Sequence, residues 1–236
     1  MIDIELAIPK FQQYWIYCIV GGRGKGKSTI IIDLLNGYLK KYYDDIYLVS
    51  TTADKDDKFQ PLIEELSEDK KFYNSFSEQI IHEIMDRIDE ENDKHKKQGK
   101  VPGTKDILKY RSLLIFDDCI SELPTSMIRG SRFNKLIVGS RHYKTDIIIT
   151  TQSFKKLNTL IRKNLDIISL FPSVNKMEIK AFLEELNVDE DTLMNCFDQL
   201  ADNNDPHIFL TMNFMNCVRP KLFLEFKKMP EIDLKK

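Results

Sequence analysis

Residues 20–29 have the sequence V-G-G-R-G-K-G-K-S-T, and the rest of the chain is organised around this stretch. Gly21, four further residues, and then Gly26, Lys27 and Ser28 match the phosphate-loop pattern G-x-x-x-x-G-K-[ST]. Glycine permits backbone angles that turn several N–H groups towards one anion, and a helix that begins there adds its positive N-terminal end. The pattern therefore predicts a site for the phosphates of a nucleotide such as ATP.

Each residue of the loop has a predicted role. The Lys27 ammonium reaches the β- and γ-phosphates, and the Ser28 hydroxyl ligates Mg²⁺. The full set of predicted nucleotide-binding residues is Gly21, Gly22, Gly24, Gly26, Lys27, Ser28 and Thr29.

The segments on either side of the loop have the composition of a strand and a helix. Residues 15–20 (W-I-Y-C-I-V) form an apolar run typical of a buried parallel strand. After the loop, apolar residues recur at helical spacing from Ile30 to Tyr38. The order strand, glycine loop, helix is the context that a nucleotide-binding loop requires.

Further apolar runs alternate with helical segments along the chain. Strands are predicted at residues 2–8, 45–51, 112–118, 146–151 and 166–171. This alternation predicts an α/β fold with a mostly parallel, doubly wound sheet, and residues 207–214 and 221–226 predict an antiparallel hairpin that extends one sheet edge. We expect one P-loop ATPase domain over residues 1–236, with a core at about 11–172 and an extension at about 173–236.

Helix ends are marked by capping residues. Ser77 is predicted to cap a helix that leads into the charged stretch Asp89 to Lys105. The spacing of apolar residues predicts another helix from Ser131 to Ser140. Asn175 is predicted to cap a third helix, with Glu178 as its capping-box partner. The charged stretch is either the solvated end of its helix or a contact for nucleic acid or another partner.

The overall composition excludes few classes of protein. There are 35 basic and 37 acidic residues, for a net charge of −2, which neither indicates nor excludes a nucleic-acid binder. Four scattered cysteines, Cys18, Cys119, Cys196 and Cys217, predict reduced thiols and no zinc site or disulfide framework. Without a signal peptide or a long apolar run, we expect neither secretion nor membrane spanning.

Two acidic residues follow a buried strand, which is where a P-loop NTPase needs them. Asp117 is predicted to hold Mg²⁺ together with Ser28, and Asp118 to orient or deprotonate the attacking water. Gln152 follows the I-I-I-T-T strand and is predicted to sense the γ-phosphate. The structural alternatives are an Asp-Asp turn and a simple strand-end residue.

Several arginines are candidates for neutralising charge on the transferring phosphoryl group from a neighbouring subunit. They are Arg129, Arg132, Arg141 and Arg162. Arg141 precedes the strand that ends at Gln152, and we expect it to act only in trans.

Four segments occur in a familiar order: V-G-G-x-G-x-G-K-S, L-L-I-F-D-D, S-R-H-Y-K-T-D-I-I-I-T-T-Q and T-L-I-R-K-N. Over residues 18–171 the chain resembles the genome-packaging ATPases of poxviruses, other large DNA viruses and virophages, within the FtsK/HerA group of P-loop translocases. The resemblance implies an additional-strand RecA/FtsK-HerA-like core. It also implies ATP and Mg²⁺ as cofactors, a homo-oligomeric ring of five or six subunits, and translocation of double-stranded DNA into a capsid.

The resemblance also implies roles for individual residues. Lys27 and Ser28 match the phosphate and Mg²⁺ ligands, and Asp117 and Asp118 match the acidic pair. Gln152 matches the polar sensor, and Arg141 matches the arginine offered across the subunit interface. A contact at a capsid vertex or portal region, a place in the virion or host cytoplasm, and no membrane insertion are further expectations.

Three other functions stay open from sequence. A P-loop kinase needs an arginine-rich lid, whereas residues 173–201 are acidic. A non-motor nucleotide-binding virion protein is disfavoured by the complete Lys27, Ser28, Asp117 and Asp118 set. A helicase or plasmid-transfer motor of the same group usually carries extra domains.

Overall fold

The computed structural model describes residues 7–8, 14–98, 110–119, 131–172, 175–186, 189–201, 205, 207–215 and 220–228. The chain separates into two compact units. The terminal unit comprises Met1–Lys27 and Ile149–Lys236, and the central unit comprises Ser28–Ile148.

The described residues form strands and helices in alternation. The strands are β1 (Ile16–Val20), β2 (Asp45–Ser50), β3 (Phe72–Tyr73), β4 (Ser112–Asp117), β5 (Thr145–Thr151), β6 (Ile167–Leu170), β7 (Leu210–Asn213), β8 (Lys221–Leu224) and β9 (Lys227–Lys228). The α-helices are α1 (Lys27–Leu34), α2 (Gln60–Glu68), α3 (Glu78–Gln98), α4 (Arg132–Tyr143), α5 (Thr159–Lys163), α6 (Lys176–Leu186) and α7 (Glu190–Ala201). Every residue of β1, β4 and β5 is buried, as expected for strands covered on both faces.

In the central unit the strands lie in the order β3-β2-β4-β5. Strand β2 pairs in parallel with both β3 and β4, and its register aligns Ser50 with Asp117. The rings of Phe76, Phe116 and Phe133 meet edge to face, with centroids 5.5–5.7 Å apart. These contacts fix the strand that carries the acidic pair.

Helix α3 begins as predicted and extends through much of the charged stretch. The Ile80 N–H donates a hydrogen bond to Ser77 Oγ at 3.2 Å. Beyond residue 89 the helix continues to Gln98, and exposed side chains pair locally, as Lys94 does with Glu91 at 2.5 Å. On another side of this part, Asn92 is buried and its amide donates to Tyr143 O at 3.1 Å, so the helix end is solvated on one side only. Residues 99–105 lie outside the described residues.

In the terminal unit the strands lie in the order β1-β6-β7-β8-β9, and the last three residues of β5, 149–151, also belong to this unit. Strand β1 pairs in parallel with β6, whereas β6, β7, β8 and β9 pair antiparallel. The predicted α/β class, with mostly parallel strands and a C-terminal hairpin extension, is confirmed. Of the strand predicted at residues 2–8 only Ala7 and Ile8 are described. Both are buried, but Ala7 is helical and Ile8 lies in a bend, so the prediction of a strand is wrong at these two residues.

The start of α6 corrects one prediction. Asn175 caps the helix, because its Oδ1 accepts a hydrogen bond from the Met177 N–H at 3.0 Å. The predicted capping-box role of Glu178 is wrong, since its carboxylate accepts hydrogen bonds from the loop after β5. That loop is described with the candidate site.

Three cysteines are present as thiols and are completely buried: Cys18, Cys119 and Cys196. Burial raises the pKa of the Cys18 and Cys196 thiols above their ordinary value. Cys217 and Arg129 lie outside the described residues. Within the described parts of the chain, no helix is both long and apolar enough to cross a membrane.

Candidate nucleotide-binding site

The glycine loop leaves the end of β1 in a conformation that requires glycine at two positions. Gly24 has φ of +74° and Gly26 has φ of +102°, both in the left-handed region that other residues rarely adopt. The Gly21 N–H donates to Thr151 O at 3.1 Å, so the loop begins against the end of β5.

Gly21 is required by close packing. A Cβ atom at this position would lie 2.4 Å from Phe171 Cδ2 and 3.0 Å from its Cγ. The Phe171 ring is only 2% exposed and packs against Phe209 with centroids 5.4 Å apart, so it has little room to move. The first glycine of the motif therefore allows the loop to pass directly over a core aromatic ring.

Lys27 begins α1, and its side chain turns back onto the loop. Its Nζ atom donates to Gly21 O at 2.9 Å and to Gly22 O at 3.3 Å, and the residue is 7% exposed. The ammonium group is thereby held against the first two loop residues. A positive charge next to a helix N-terminus favours an anion.

His207 approaches the same loop from the C-terminal extension. Its Nδ1 lies 3.0 Å from Lys25 O, and also 3.5 Å from the position that a Cβ at Gly26 would occupy. A carbonyl oxygen only accepts hydrogen bonds, so Nδ1 carries the proton and Nε2 is the other ring nitrogen available to a ligand. His207 was not predicted as a site residue, because it is 182 positions from Lys25 and carries no local signal.

A cavity of about 320 Å³ lies beside the loop within the terminal unit. Its walls are Val20, Gly21, Gly22, Lys25, Gln152, Leu170, Phe171, Pro172, Glu178, Ile179, Phe182 and Phe197. The volume is at the lower end of the range for small-molecule sites. The terminal unit thus brings the predicted sensor, Gln152, to the same cavity as the glycine loop.

The loop after Gln152 is attached to α6. Ser153 Oγ donates to Glu178 Oε1 at 2.5 Å, and the backbone N–H groups of Phe154 and Lys155 donate to Glu178 Oε2 at 2.8 and 3.3 Å. One carboxylate therefore holds three successive residues that follow the sensor.

In the central unit the two predicted acids have different environments. Asp117 is 4% exposed and accepts a hydrogen bond from Ser50 Oγ at 2.9 Å. Ser50 Oγ in turn accepts from the N–H groups of Thr52 and Ala53 at 3.2 and 3.0 Å. Asp118 is half-buried and has φ of +49°, a backbone conformation uncommon outside glycine.

The oxygen ligands expected for Mg²⁺ belong to the same unit. Ser28 is half-buried in the first turn of α1, while the neighbouring Thr29 Oγ1 accepts from Lys58 Nζ at 2.7 Å. Mg²⁺ keeps several waters and binds proteins through one or two carboxylates plus substrate phosphates. A hydroxyl at Ser28 and a carboxylate at Asp117 fit this chemistry. In the described ranges no cluster of three or more His, Cys, Asp or Glu residues could hold a metal alone.

The candidate arginines differ in whether they form ion pairs with carboxylates of their own chain. Arg132 pairs with Asp86 on α3 and also donates to His82 O at 3.2 Å. Arg162 pairs with Glu185 at 3.1 Å and is mostly buried. Arg141 lies exposed in the last turn of α4, and its guanidinium has no carboxylate partner in the parts of the chain that the structure describes.

The sequence profile of the poxvirus A32 protein family matches residues 10–217, a span that includes the glycine loop, the acidic pair and Gln152. The chain belongs to the poxvirus A32 protein family. No curated protein matches this A32 family member significantly.

Solved structures show which fold this A32 family member has. It is similar to the genome packaging NTPase B204 of Sulfolobus turreted icosahedral virus 2 in complex with AMP, with a TM-score of 0.60, 14% identity, and coverage of 92% of this chain and 98% of that chain. For the complex of B204 with ATP-gammaS the TM-score is 0.59, the identity 16%, and the coverage 89% and 96%. EssC (ATPases 2 and 3) of Geobacillus thermodenitrificans has a TM-score of 0.53 and 15% identity, with 92% of this chain and 41% of that chain covered. These similarities confirm the predicted fold, which the chain shares with B204 and EssC.

Proposed function

We propose that this A32 family member is an ATP-hydrolysing motor that moves double-stranded DNA into a viral capsid. The observation that carries the proposal is the glycine loop with Lys27 held against it and Gln152 on the same cavity. The names of the similar structures support it, since B204 is a genome packaging NTPase and was solved with AMP and with ATP-gammaS.

ATP binding is the role of the loop and the start of α1. The backbone N–H groups of the glycine loop cradle the phosphates, and Lys27 moves its hydrogen bonds from Gly21 and Gly22 to phosphate oxygens. Ser28 and Asp117 would hold Mg²⁺, which when bound neutralises charge on the β- and γ-phosphates.

Hydrolysis is the role of the residues that end β4 and β5. Asp118 accepts a hydrogen bond from the attacking water and takes up its proton, while Gln152 contacts the γ-phosphate. The Ser50 hydroxyl donates a hydrogen bond to the Asp117 carboxylate at 2.9 Å and so orients it for the metal.

Arg141 is the arginine that we propose acts across a ring interface. Two alternatives, Arg132 and Arg162, are already paired with carboxylates of their own chain. An exposed guanidinium without such a partner is ready to neutralise the charge of a neighbouring subunit's nucleotide. The ring of five or six subunits, its contact with a capsid vertex and its place in the virion or viral factory belong to the same proposal.

A mixing experiment tests the trans assignment. Asp118→Asn and Arg141→Ala subunits are each expected to be inactive alone. Ring interfaces are heterologous, so equal mixing restores an intact pair at about one interface in four, and ATPase activity returns to about a quarter of the wild-type rate. A mixture as inactive as its components contradicts the assignment.

Lys27→Ala tests the enzymatic proposal itself. Loss of the phosphate-binding ammonium is expected to lower the ATPase rate by about 100-fold or more. Lys163→Ala is the matched control, since Lys163 is an exposed lysine of α5 in the same unit. Equal phosphate release by wild type and Lys27→Ala would remove the basis of the proposal.

A further inference from the structure

We propose that Glu178 is a positioning residue that holds Gln152 at the γ-phosphate. The inference rests on the proposed function, because it assigns a task to a residue whose carboxylate holds the loop after the sensor. Helix α6 lies in the segment that was predicted as an extension beyond the core. The inference gives this helix a role in the ATPase site.

The first attachment is the Glu178 carboxylate. Its two oxygens accept hydrogen bonds from Ser153 Oγ, Phe154 N–H and Lys155 N–H, at 2.5, 2.8 and 3.3 Å. Hydrogen bonds to an ionised acceptor are stronger than neutral ones, and two backbone donors fix the orientation of successive peptide planes. The residue next to these planes is Gln152.

The second attachment lies one helical turn further along α6. The Phe154 ring stacks on Phe182 with centroids 4.2 Å apart and an interplanar angle of 17°, and Phe154 is completely buried. The Arg162 guanidinium lies 5.7 Å from the centroid of the Phe154 ring. Residues four apart share one helix face, so Glu178 and Phe182 contact the loop after Gln152 from the same side of α6.

The length of the side chain at position 178, more than its charge, decides whether all three hydrogen bonds to the loop are kept. In Glu178→Gln the amide oxygen can accept both backbone hydrogen bonds while the amide nitrogen donates to Ser153 Oγ, since a hydroxyl also accepts. In Glu178→Asp the charge remains but the side chain is one methylene shorter, so the carboxylate cannot keep all three contacts. The two variants therefore separate position from charge.

Steady-state ATPase kinetics provide the test. Glu178→Asp and Glu178→Ala are expected to lower kcat about tenfold while KM for ATP changes less than about twofold, because misplacement of a catalytic group affects the chemical step. Glu178→Gln is expected to stay within about threefold of wild type. The control is Glu184→Ala on the same helix, whose exposed carboxylate has only a weak pair with Lys180 at 3.7 Å.

A double-mutant cycle with Gln152→Ala identifies the route of the effect. Gln152→Ala alone is expected to lower kcat about 100-fold, and adding Glu178→Asp should lower it no further. If the two losses multiply, or if Glu178→Asp has wild-type kcat, the positioning role is overturned. If Glu178→Ala fails to fold, the Asp and Gln pair still decides the question.

The two proposals fail in different ways. Failure of the ATPase proposal appears as an unchanged rate in Lys27→Ala, whatever Glu178 does. Failure of the positioning proposal appears as normal kcat in Glu178→Asp in a protein whose activity still depends on Lys27.

Discussion

Gly21→Ala places a methyl group where the core has no room for one. The new Cβ would lie 2.4 Å from Phe171 Cδ2, 3.0 Å from Cγ and 3.2 Å from Cε2, all closer than ordinary van der Waals contact. These atoms belong to a ring that is 2% exposed, so relief of the clash requires movement of the loop or of the packed ring. Overpacking of this kind costs about 1–3 kcal/mol of the free energy of unfolding.

Urea denaturation of four proteins measures this cost: wild type, Gly21→Ala, Phe171→Ala and the double variant. Phe171→Ala alone should lose about 3–5 kcal/mol because it leaves a cavity. In that background the Gly21→Ala penalty should disappear, since the ring atoms that it meets are gone. The loop would also be displaced in Gly21→Ala, so KM for ATP should rise.

Gly37→Ala is the matched control, because a Cβ at Gly37 meets nothing within 4 Å. It should leave stability unchanged or raise it by about 0.5–1 kcal/mol, as alanine in a helical segment usually does. A Gly21→Ala protein as stable as wild type, or a penalty that persists without the Phe171 ring, would refute the packing argument.

Three further outcomes are expected. Asp146→Ala should lower the free energy of unfolding, measured by urea denaturation, by about 3–5 kcal/mol, because it leaves the buried Arg111 guanidinium without the carboxylate that it contacts at 2.5 Å. A variant as stable as wild type would contradict this expectation. Iodoacetamide should label Cys18 at pH 7.5 at least about 100-fold faster in urea than in the native protein, since burial raises the pKa of this thiol and suppresses the reactive thiolate. Mass spectrometry of the labelled peptide measures both rates, and equal rates would contradict this expectation. Ser50→Ala removes the hydroxyl that orients Asp117, so the Mg²⁺ concentration for half-maximal ATPase should rise about tenfold, and an unchanged Mg²⁺ titration would argue against that role.

The parts of the fold that follow local sequence patterns were predictable. A buried parallel strand is an apolar run and a helix repeats its apolar residues every three to four positions, so β1, β2, β4 and β5 were found to within about one residue. Ser77 and Asn175 were recognised as helix caps because capping is a contact between near neighbours in the chain. Ser131 was predicted only as the start of its helix, and the structure shows that it caps it.

The contacts that shape the candidate site were less predictable, because they join distant parts of the chain. Ser50 is 67 positions from Asp117, and His207 is 182 positions from Lys25. Glu178 shows how local reasoning fails: its place near a helix start suggested a capping box, but the loop after β5 supplied three better donors. Tertiary partners of this kind leave no periodic signal in a single sequence.

Choosing among the arginines also needed the structure. From sequence, the family resemblance favoured Arg141, but Arg132 and Arg162 were also near plausible interfaces. The ion pairs of Arg132 and Arg162 within their own chain leave Arg141 as the residue we propose for the trans role.

The central claim is that ATP hydrolysis drives movement along double-stranded DNA. Displacement of a third strand from a DNA triplex, followed together with phosphate release, measures both at once. The account predicts ATP-dependent displacement by wild type, a hydrolysis rate that rises with duplex length, and neither in Lys27→Ala. Hydrolysis that ignores duplex DNA and never displaces the third strand, under conditions in which a ring forms, would contradict it.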